Sequence, residues 1–206
     1  MKKIRTLIAD DHAVVRTGLA ALLDAEPDIT VVGAAEDGAE AVRNTLRLKP
    51  DVIVMDLMMP VKDGIDATRE IRAAVPNSKI LILTTSEVSN DIVRALDAGA
   101  SGAVLKSASN DSLISAIRTV AAGESAVSDD VQKMLKTDPP IQNLTDRQLE
   151  ILTSVTRGFT NQDIARQLGI REDSVKEHLY NIFDKIGAAN RTEAVNIALR
   201  KHLLKI

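Results

Sequence analysis

Cysteine and tryptophan are both missing from the 206 residues, and only one tyrosine and two phenylalanines occur. Without thiols there is no disulfide, no thiolate-bound metal and no cysteine nucleophile, which removes several classes of enzyme and secreted scaffold together. No apolar run approaches the length of a bilayer span, and the N-terminal MKKIRTLIADDH turns acidic where a secretory leader would stay apolar. A soluble, cytoplasmic chain with no membrane partner is the expectation. The aromatics are unevenly spread, since Phe159, Tyr180 and Phe183 all lie beyond Pro140. Charge divides at the same place: residues 1–140 hold 16 basic and 21 acidic side chains, net −5, and residues 141–206 hold 10 and 8, net +2. Two parts with different partners are implied, and a chain that is 45% hydrophobic can supply a core for each.

What is present is an alternation. IRTLIADD reads as a strand, and Val15, Leu19, Leu22 and Leu23 then line one helical face. ITVVGAA precedes a helix carrying Ala39, Val42 and Leu46, and DVIVMD precedes one carrying Ile65, Thr68 and Ile71. KILILTT leads to Ile92, Val93 and Leu96, and GAVLK leads to Leu113, Ile114, Ile117 and Val120. Five βα units in a row predict a doubly wound parallel sheet with helices on both faces, each crossover right-handed. In that architecture ligands sit outside the carboxyl ends of the strands. Those ends carry Asp10 and Asp11, Asp56, Thr84 and Lys106. Any one polar strand end needs no explanation beyond its loop, but five at one rim suggest a site.

Three crowded carboxylates repel, so one must take a proton or a divalent cation must join them. With only oxygen donors in reach, Mg²⁺ is the cation expected, and His12, beside the acid pair, has no second histidine or cysteine to support it as a ligand. Asp56 is then the natural nucleophile for an in-line phosphoryl transfer. Lys106 would neutralise charge on the phosphoryl oxygens, and Thr84 would donate a hydrogen bond to one of them.

These residues, with MDLMMPVKDG and ALDAGASGAVLK, resemble the receiver domain of two-component response regulators, a flavodoxin-like (βα)5 fold. The resemblance implies a sensor histidine kinase as phosphoryl donor, Asp56 as acceptor, and Mg²⁺ on Asp11, Asp56 and the Met58 carbonyl, with Asp10 supporting through water. It also implies that Thr84 moves toward the phosphoryl group, and that Met58 and Ser86 tune hydrolysis of the acyl phosphate. Pro60 and Gly64 mark a sharp turn before the next helix. One position departs from the pattern: many receivers carry an aromatic three places before the lysine, where this chain has Ala103. A switch here has to work by repacking around Thr84 to Val88 instead of by swinging a ring.

Residues 123–142, from GESAVSDD to the Pro139-Pro140 pair, lose the βα rhythm and read as a tether with a short helix in DDVQKMLK. The expected division is a receiver at 1–122, a linker at 123–142 and an all-α domain at 143–206. In the last part Thr145 with Gln148 forms a capping-box pattern, and Thr160 and Asp163 are placed to cap the next helix. A third helix buries Val175, Leu179, Ile182, Phe183 and Ile186 and shows Asp173, Lys176, Glu177, Tyr180, Asp184 and Lys185. This pattern fits either a helix-turn-helix or a small bundle for protein contacts.

LTDRQLEIL, GFTNQDIARQLGI, SVKEHLYNIFDKIG and NRTEAVNIALRKHLL resemble, in order and spacing, the LuxR-type helix-turn-helix of the NarL/FixJ family. The resemblance implies binding to a double-stranded DNA operator, with Lys176, Glu177 and Tyr180 toward base edges. Lys176, His178, Arg171 and Arg191 are candidates for the phosphate backbone, and Glu177 would accept from a cytosine amine. The last helix, through Val195, Ala198 and Leu199, is the expected dimer contact. The whole reads as a phosphorylation-gated, dimeric transcription regulator and not an enzyme, with RNA polymerase as a further candidate partner. A phosphorylation-independent DNA-binding regulator and an aspartyl-phosphate phosphotransferase are the alternatives.

Overall fold

The computed structural model describes residues 3–85, 88–141 and 144–204, and the chain forms two compact units, Met1–Asp138 and Pro139–Ile206. Unit one contains strands β1 Ile4–Ala9, β2 Ile29–Ala35, β3 Val52–Met55, β4 Ile80–Thr84, β5 Gly102–Leu105 and β6 Ala126–Val127. Between and after them run helices α1 Ala13–Asp24, α2 Gly38–Leu48, α3 Gly64–Ala74, α4 Ser89–Asp97, α5 Asn110–Ala122 and α6 Asp129–Thr137. The strands form one parallel sheet in the order β2-β1-β3-β4-β5-β6.

β3 and β4 are buried throughout because both faces of a central parallel strand are covered, which is why their sequences are continuously apolar. Alternate residues serve opposite layers. Ile53 and Met55 join Ala41, Ile65, Ile71 and Ile92 on the side of α2, α3 and α4, whereas Val52 and Val54 join Leu23, Leu113, Ile114 and Ile117 on the side of α1 and α5. The five-unit, doubly wound expectation therefore holds. The phase of α2 differs: its buried face is Ala41, Val42 and Thr45, and Leu46 is exposed. Asp37 caps the helix by accepting from the Glu40 amide at 2.7 Å, which fixes where it starts. The Thr45 hydroxyl enters the core satisfied by the Ala41 carbonyl at 2.8 Å.

The expected tether at 123–142 needs correction, because most of it belongs to unit one. β6 pairs with β5 through Gly102↔Ala126 and Ala103↔Val127. α6 lays Val131, Met134 and Leu135 against the same apolar cluster as Ala103 and Ile92. Two devices allow this. A Cβ at position 102 would lie 2.1 Å from the Ala126 carbonyl, so only glycine admits the sixth strand. The i, i+3, i+4 spacing of the three apolar residues gives the nine-residue helix one sticky face. Pro139 and Pro140 do stop the helix, which ends at Thr137.

Unit two holds α7 Asp146–Thr156, α8 Asn161–Leu168, α9 Glu172–Ile186 and α10 Arg191–Arg200 around a core of Ile151, Leu152, Ile164, Val175, Leu179, Ile182 and Ile197. Both expected capping boxes form: Thr145 with Gln148 opens α7, and Thr160 with Asp163 opens α8. Gly169 and Gly187 end α8 and α9 in the left-handed conformation.

Since Val131 is fully buried, Val131→Ala in the intact chain should lower the stability of unit one by about 2 kcal/mol in urea unfolding. A free tether would give no change.

Candidate functional site

The carboxyl ends of β1, β3, β4 and β5 meet at one rim. Asp56 follows β3, and its amide continues the ladder to the Ala9 carbonyl at 2.8 Å, just as the Asp10 amide reaches Ala35 at 3.1 Å. The two carboxylates are 2% and 3% exposed, for Asp10 and Asp56 respectively. Lys106, one residue past β5, puts its Nζ 2.5 Å from Asp10 Oδ2 and 2.6 Å from Asp56 Oδ2. The Lys106 amide is itself fixed by the Thr84 carbonyl at 2.8 Å, so β4 and β5 end in register. Asp10 Oδ1 accepts the His12 amide at 2.9 Å, and Asp56 Oδ1 accepts the Met58 amide at a longer 3.3 Å.

The electrostatics follow from one lysine serving two buried acids. Burial pushes the Asp56 carboxyl above the usual carboxylate range; the hydrogen bond and charge of Lys106 pull it back only in part, and neighbouring Asp10 pushes it further up. Burial draws Lys106 down, but the hydrogen bonds it donates to both Asp10 and Asp56 outweigh this and the ammonium is favoured. The opposite fortunes of the partners are consistent: the lysine has two anions, and each anion has a share of one cation.

Asp11 completes the acidic pocket. Its Oδ1 is buried and makes no hydrogen bond of good geometry among the described residues, although His12 Nδ1 lies 2.6 Å away. Asp10, Asp11, His12 and Asp56 can each offer a ligand atom within 4.8 Å of the others. His12, set aside on sequence grounds, thus stands at the rim. Arg16 was missed: it braces the Asp10 carbonyl at 2.7 Å, four residues after His12 on the first turns of α1. That spacing is the signal that could have found it.

The loop after Asp56 turns as sharply as Pro60 and Gly64 suggested. The Lys62 amide bonds to the Pro60 carbonyl across Val61, whose φ is 64°, a γ-turn that a β-branched residue adopts at a cost. A Cβ at Gly64 would lie 2.0 Å from the Asp56 carbonyl, so glycine lets α3 begin directly against the end of β3. Thr84 is buried at the end of β4, and Met58 is half-exposed beside Asp56. Ser86 lies outside the described residues.

In unit two, Lys176, Glu177 and Tyr180 share the exposed face of α9, with Arg171 exposed at its N-terminus. Lys176 is held on that face by Asp173 at 3.2 Å and Glu172 at 3.5 Å; the Asp173 hydrogen bond raises its pKa. His178 is half-buried, and Lys185 turns inward to Gln148 Oε1 at 3.0 Å instead of joining the outer face. Arg191 is also committed internally, to the Phe159 carbonyl and to Asn161 Oδ1 at 3.3 Å, and burial lowers its pKa. It ties α10 to the start of α8. Of the expected dimer residues, Leu199 is 44% exposed and Val195 half-buried, but Ala198 is 1% exposed in the core of its own unit. A buried methyl cannot meet a second chain, so Ala198 leaves that set.

A doubly wound sheet with a buried carboxylate pair and lysine at its rim, followed by a separate helix-turn-helix unit, defines the class of two-domain regulators in which a modifiable domain controls a DNA-binding one. Comparison with known proteins gives the family. The response regulator receiver domain matches residues 6–118, and the luxR family of bacterial regulatory proteins matches residues 142–198. The chain is 41% identical to the transcriptional regulatory protein LiaR of Bacillus subtilis (strain 168) over 209 residues, covering 98% of this chain and 99% of that one. It is 37% identical to the response regulator VraR of Staphylococcus aureus (strain NCTC 8325 / PS 47), covering 98% and 99%. Among solved structures, RcsB of Salmonella enterica serovar Typhimurium, bound to promoter P1flhDC with the phosphomimetic BeF3⁻, is similar at a TM-score of 0.74 and 25% identity, covering 97% and 99%. The chain belongs to the NarL/FixJ family of response regulators. It is a two-component response regulator with a receiver and a LuxR-type DNA-binding domain, and the family is one of regulators, not enzymes.

A pH dependence follows from the rim. The folded state raises the pKa of Asp56, so it binds that proton more tightly than the unfolded chain does. Stability contributed by this group must therefore fall as pH rises from the ordinary aspartate value through the raised one. Without divalent cations, Asp56→Asn should flatten the decline in urea stability across this window; an unchanged slope would contradict the assignment.

Proposed function

We propose that Asp56 is the phosphoryl acceptor, that a sensor histidine kinase is the donor, and that phosphorylation favours a homodimer binding double-stranded operator DNA. The observation carrying this reading is the charge deficit at the rim: Asp10 and Asp56 share one lysine, and beside them the buried Asp11 Oδ1 meets the His12 imidazole Nδ1 at 2.6 Å and no lysine or arginine among the described residues. An oxygen-bound divalent cation relieves such a deficit, and the donor set fits Mg²⁺. Asp11, Asp56 and the Met58 carbonyl would hold it, with Asp10 in support through water. When bound, Mg²⁺ neutralises negative charge on phosphoryl oxygens.

The chain's own groups do the rest. A carboxylate oxygen of Asp56 forms a bond to phosphorus as the P–N bond of the donor phosphohistidine breaks, the electron pair returning to the imidazole. Lys106 offsets charge on the phosphoryl oxygens, and the Thr84 hydroxyl donates to one of them. Water removes the group slowly, which is the only turnover this reading includes. Residues 1–138 and 139–206 serve as receiver and output portions, with most of the expected linker inside the first.

The exposed Lys176, Glu177 and Tyr180 support a base-reading role for α9, with Arg171 and His178 toward phosphates. Arg191 would act indirectly, by fixing the start of α8 against the duplex. Leu199 and Val195 remain the candidate dimer contacts, and RNA polymerase a candidate downstream partner. No helix among the described residues is long and apolar enough to cross a membrane, in keeping with a cytoplasmic regulator.

Acetyl phosphate with Mg²⁺ should add one phosphoryl mass to the intact chain, and Asp56→Asn should abolish it; added mass that survives the substitution would contradict the acceptor assignment. DNA selected by the phosphorylated chain should bind it at least ~10-fold more tightly than the unphosphorylated chain, a difference of about 1.4 kcal/mol in a gel shift. Equal affinity would favour the phosphorylation-independent alternative. On the same DNA, Lys176→Ala should weaken binding and reduce its salt dependence. Glu177→Ala should relax base preference; tighter binding with unchanged preference would remove Glu177 as a reader.

A further inference from the structure

The segment that looked like a tether is laid on the two elements that leave the rim. β5 ends one residue before Lys106, and β6 pairs along it, with the Ser128 amide donating to the Ala103 carbonyl at 3.0 Å. α4 begins five residues after Thr84, and its first residue, the fully buried Ser89, donates its hydroxyl to Asp138 Oδ2 at 3.3 Å. Asp138 is the C-cap of α6 and the last residue of unit one. The segment is thus fixed at its start by β5 and at its end by α4.

Its hold is slight. β6 is two residues long, and α6 is nine residues with one fully buried side chain, Val131, and two partly buried ones, Met134 and Leu135. A helix this short does not persist in water without a partner surface. Its N-cap bond, Ser128 Oγ to the Val131 amide, is 3.5 Å long. Such an element lies at the low-stability end of a fold, where local opening is easiest.

We propose that β6–α6 is a releasable strap, latched by Ser89 and Asp138, that holds the connection to the DNA-binding unit short until Asp56 is modified. This rests on the reading of Asp56 as phosphoryl acceptor. A phosphoryl group on Asp56 gives Lys106 a new anionic partner and gives the Thr84 end of β4 a new acceptor. Both changes act on the roots of the strap, at the end of β5 and just before α4. Release converts residues 124–138 into tether, and the output unit gains the reach to pair with a second copy on two half-sites. Ala103 fits this arrangement, because a fully buried alanine on β5 leaves α6 room to pack beside it.

The test is hydrogen exchange of the α6 amides in the intact chain, with and without acetyl phosphate and Mg²⁺, with phosphoryl mass read on the same samples. Phosphorylated molecules should exchange these amides roughly tenfold faster or more, while β3 and β4 stay protected. Asp138→Ala, a change at the surface end of the strap, should speed α6 exchange by a similar factor with no donor present and raise DNA affinity in the unphosphorylated chain. If phosphoryl mass is present and α6 protection is unchanged, the strap does not respond to the site and the proposal is overturned. If Asp138→Ala leaves α6 protection intact, the latch is overturned whatever happens at Asp56. Absence of phosphoryl mass would instead count against Asp56 as acceptor, with the Asp138→Ala arm still deciding the latch.

Discussion

The rim depends on a shortage of positive charge. Lys106 lies between Asp10 and Asp56 at 2.5 and 2.6 Å, and a third acid, Asp11, has a buried oxygen that meets the His12 imidazole at 2.6 Å but no lysine or arginine among the described residues. Two desolvated carboxylates and one ammonium are not a closed ion pair, since each acid has only part of a counter-charge. A closed pair would be an inert brace in the core. An open one attracts cations and tolerates a transferable anion only with a cation's help, which suits a site that is loaded and unloaded.

The backbone around this group is arranged to hold the deficit in place. Asp10 and Asp56 sit on adjacent strands whose ladders continue through their own amides, and the Thr84 carbonyl fixes the Lys106 amide. Gly64 brings α3 onto the end of β3, and the γ-turn at Val61 spends strain to return the chain within a few residues. Strain of this kind is carried by the surrounding sheet, whose central strands are buried on both faces.

Much of this was legible in the sequence because it depends on local periodicity. Strand ends follow from where the apolar runs stop, so Asp10, Asp11, Asp56, Thr84 and Lys106 fall at one rim on the sequence pattern alone. Capping boxes at Thr145 and Thr160 were equally local. What escaped depends on contacts distant in sequence. The pairing of β6 with β5 needs the missing Cβ of Gly102, which no pattern within residues 123–142 announces. The buried face of α2 is fixed by how Ala41, Val42 and Thr45 meet the core, which the spacing of its few apolar residues did not single out. Ala198 was expected at the dimer contact with Val195 and Leu199, yet packing within its own unit buries it. Conversely, Lys185 was expected on the exposed face of its helix and Arg191 among the phosphate contacts, and their long side chains instead reach inward to Gln148 and Asn161.

The charge deficit is tested most directly by calorimetric titration of Mg²⁺ into the intact chain, alongside its Lys106→Gln and Asp11→Asn variants. If the rim is an open cation site in which the lysine competes with the metal, removing the lysine should tighten Mg²⁺ binding. Neutralising Asp11 should weaken it about tenfold or more. Mg²⁺ affinity that ignores both substitutions would show that these acids do not form the site on which the account rests.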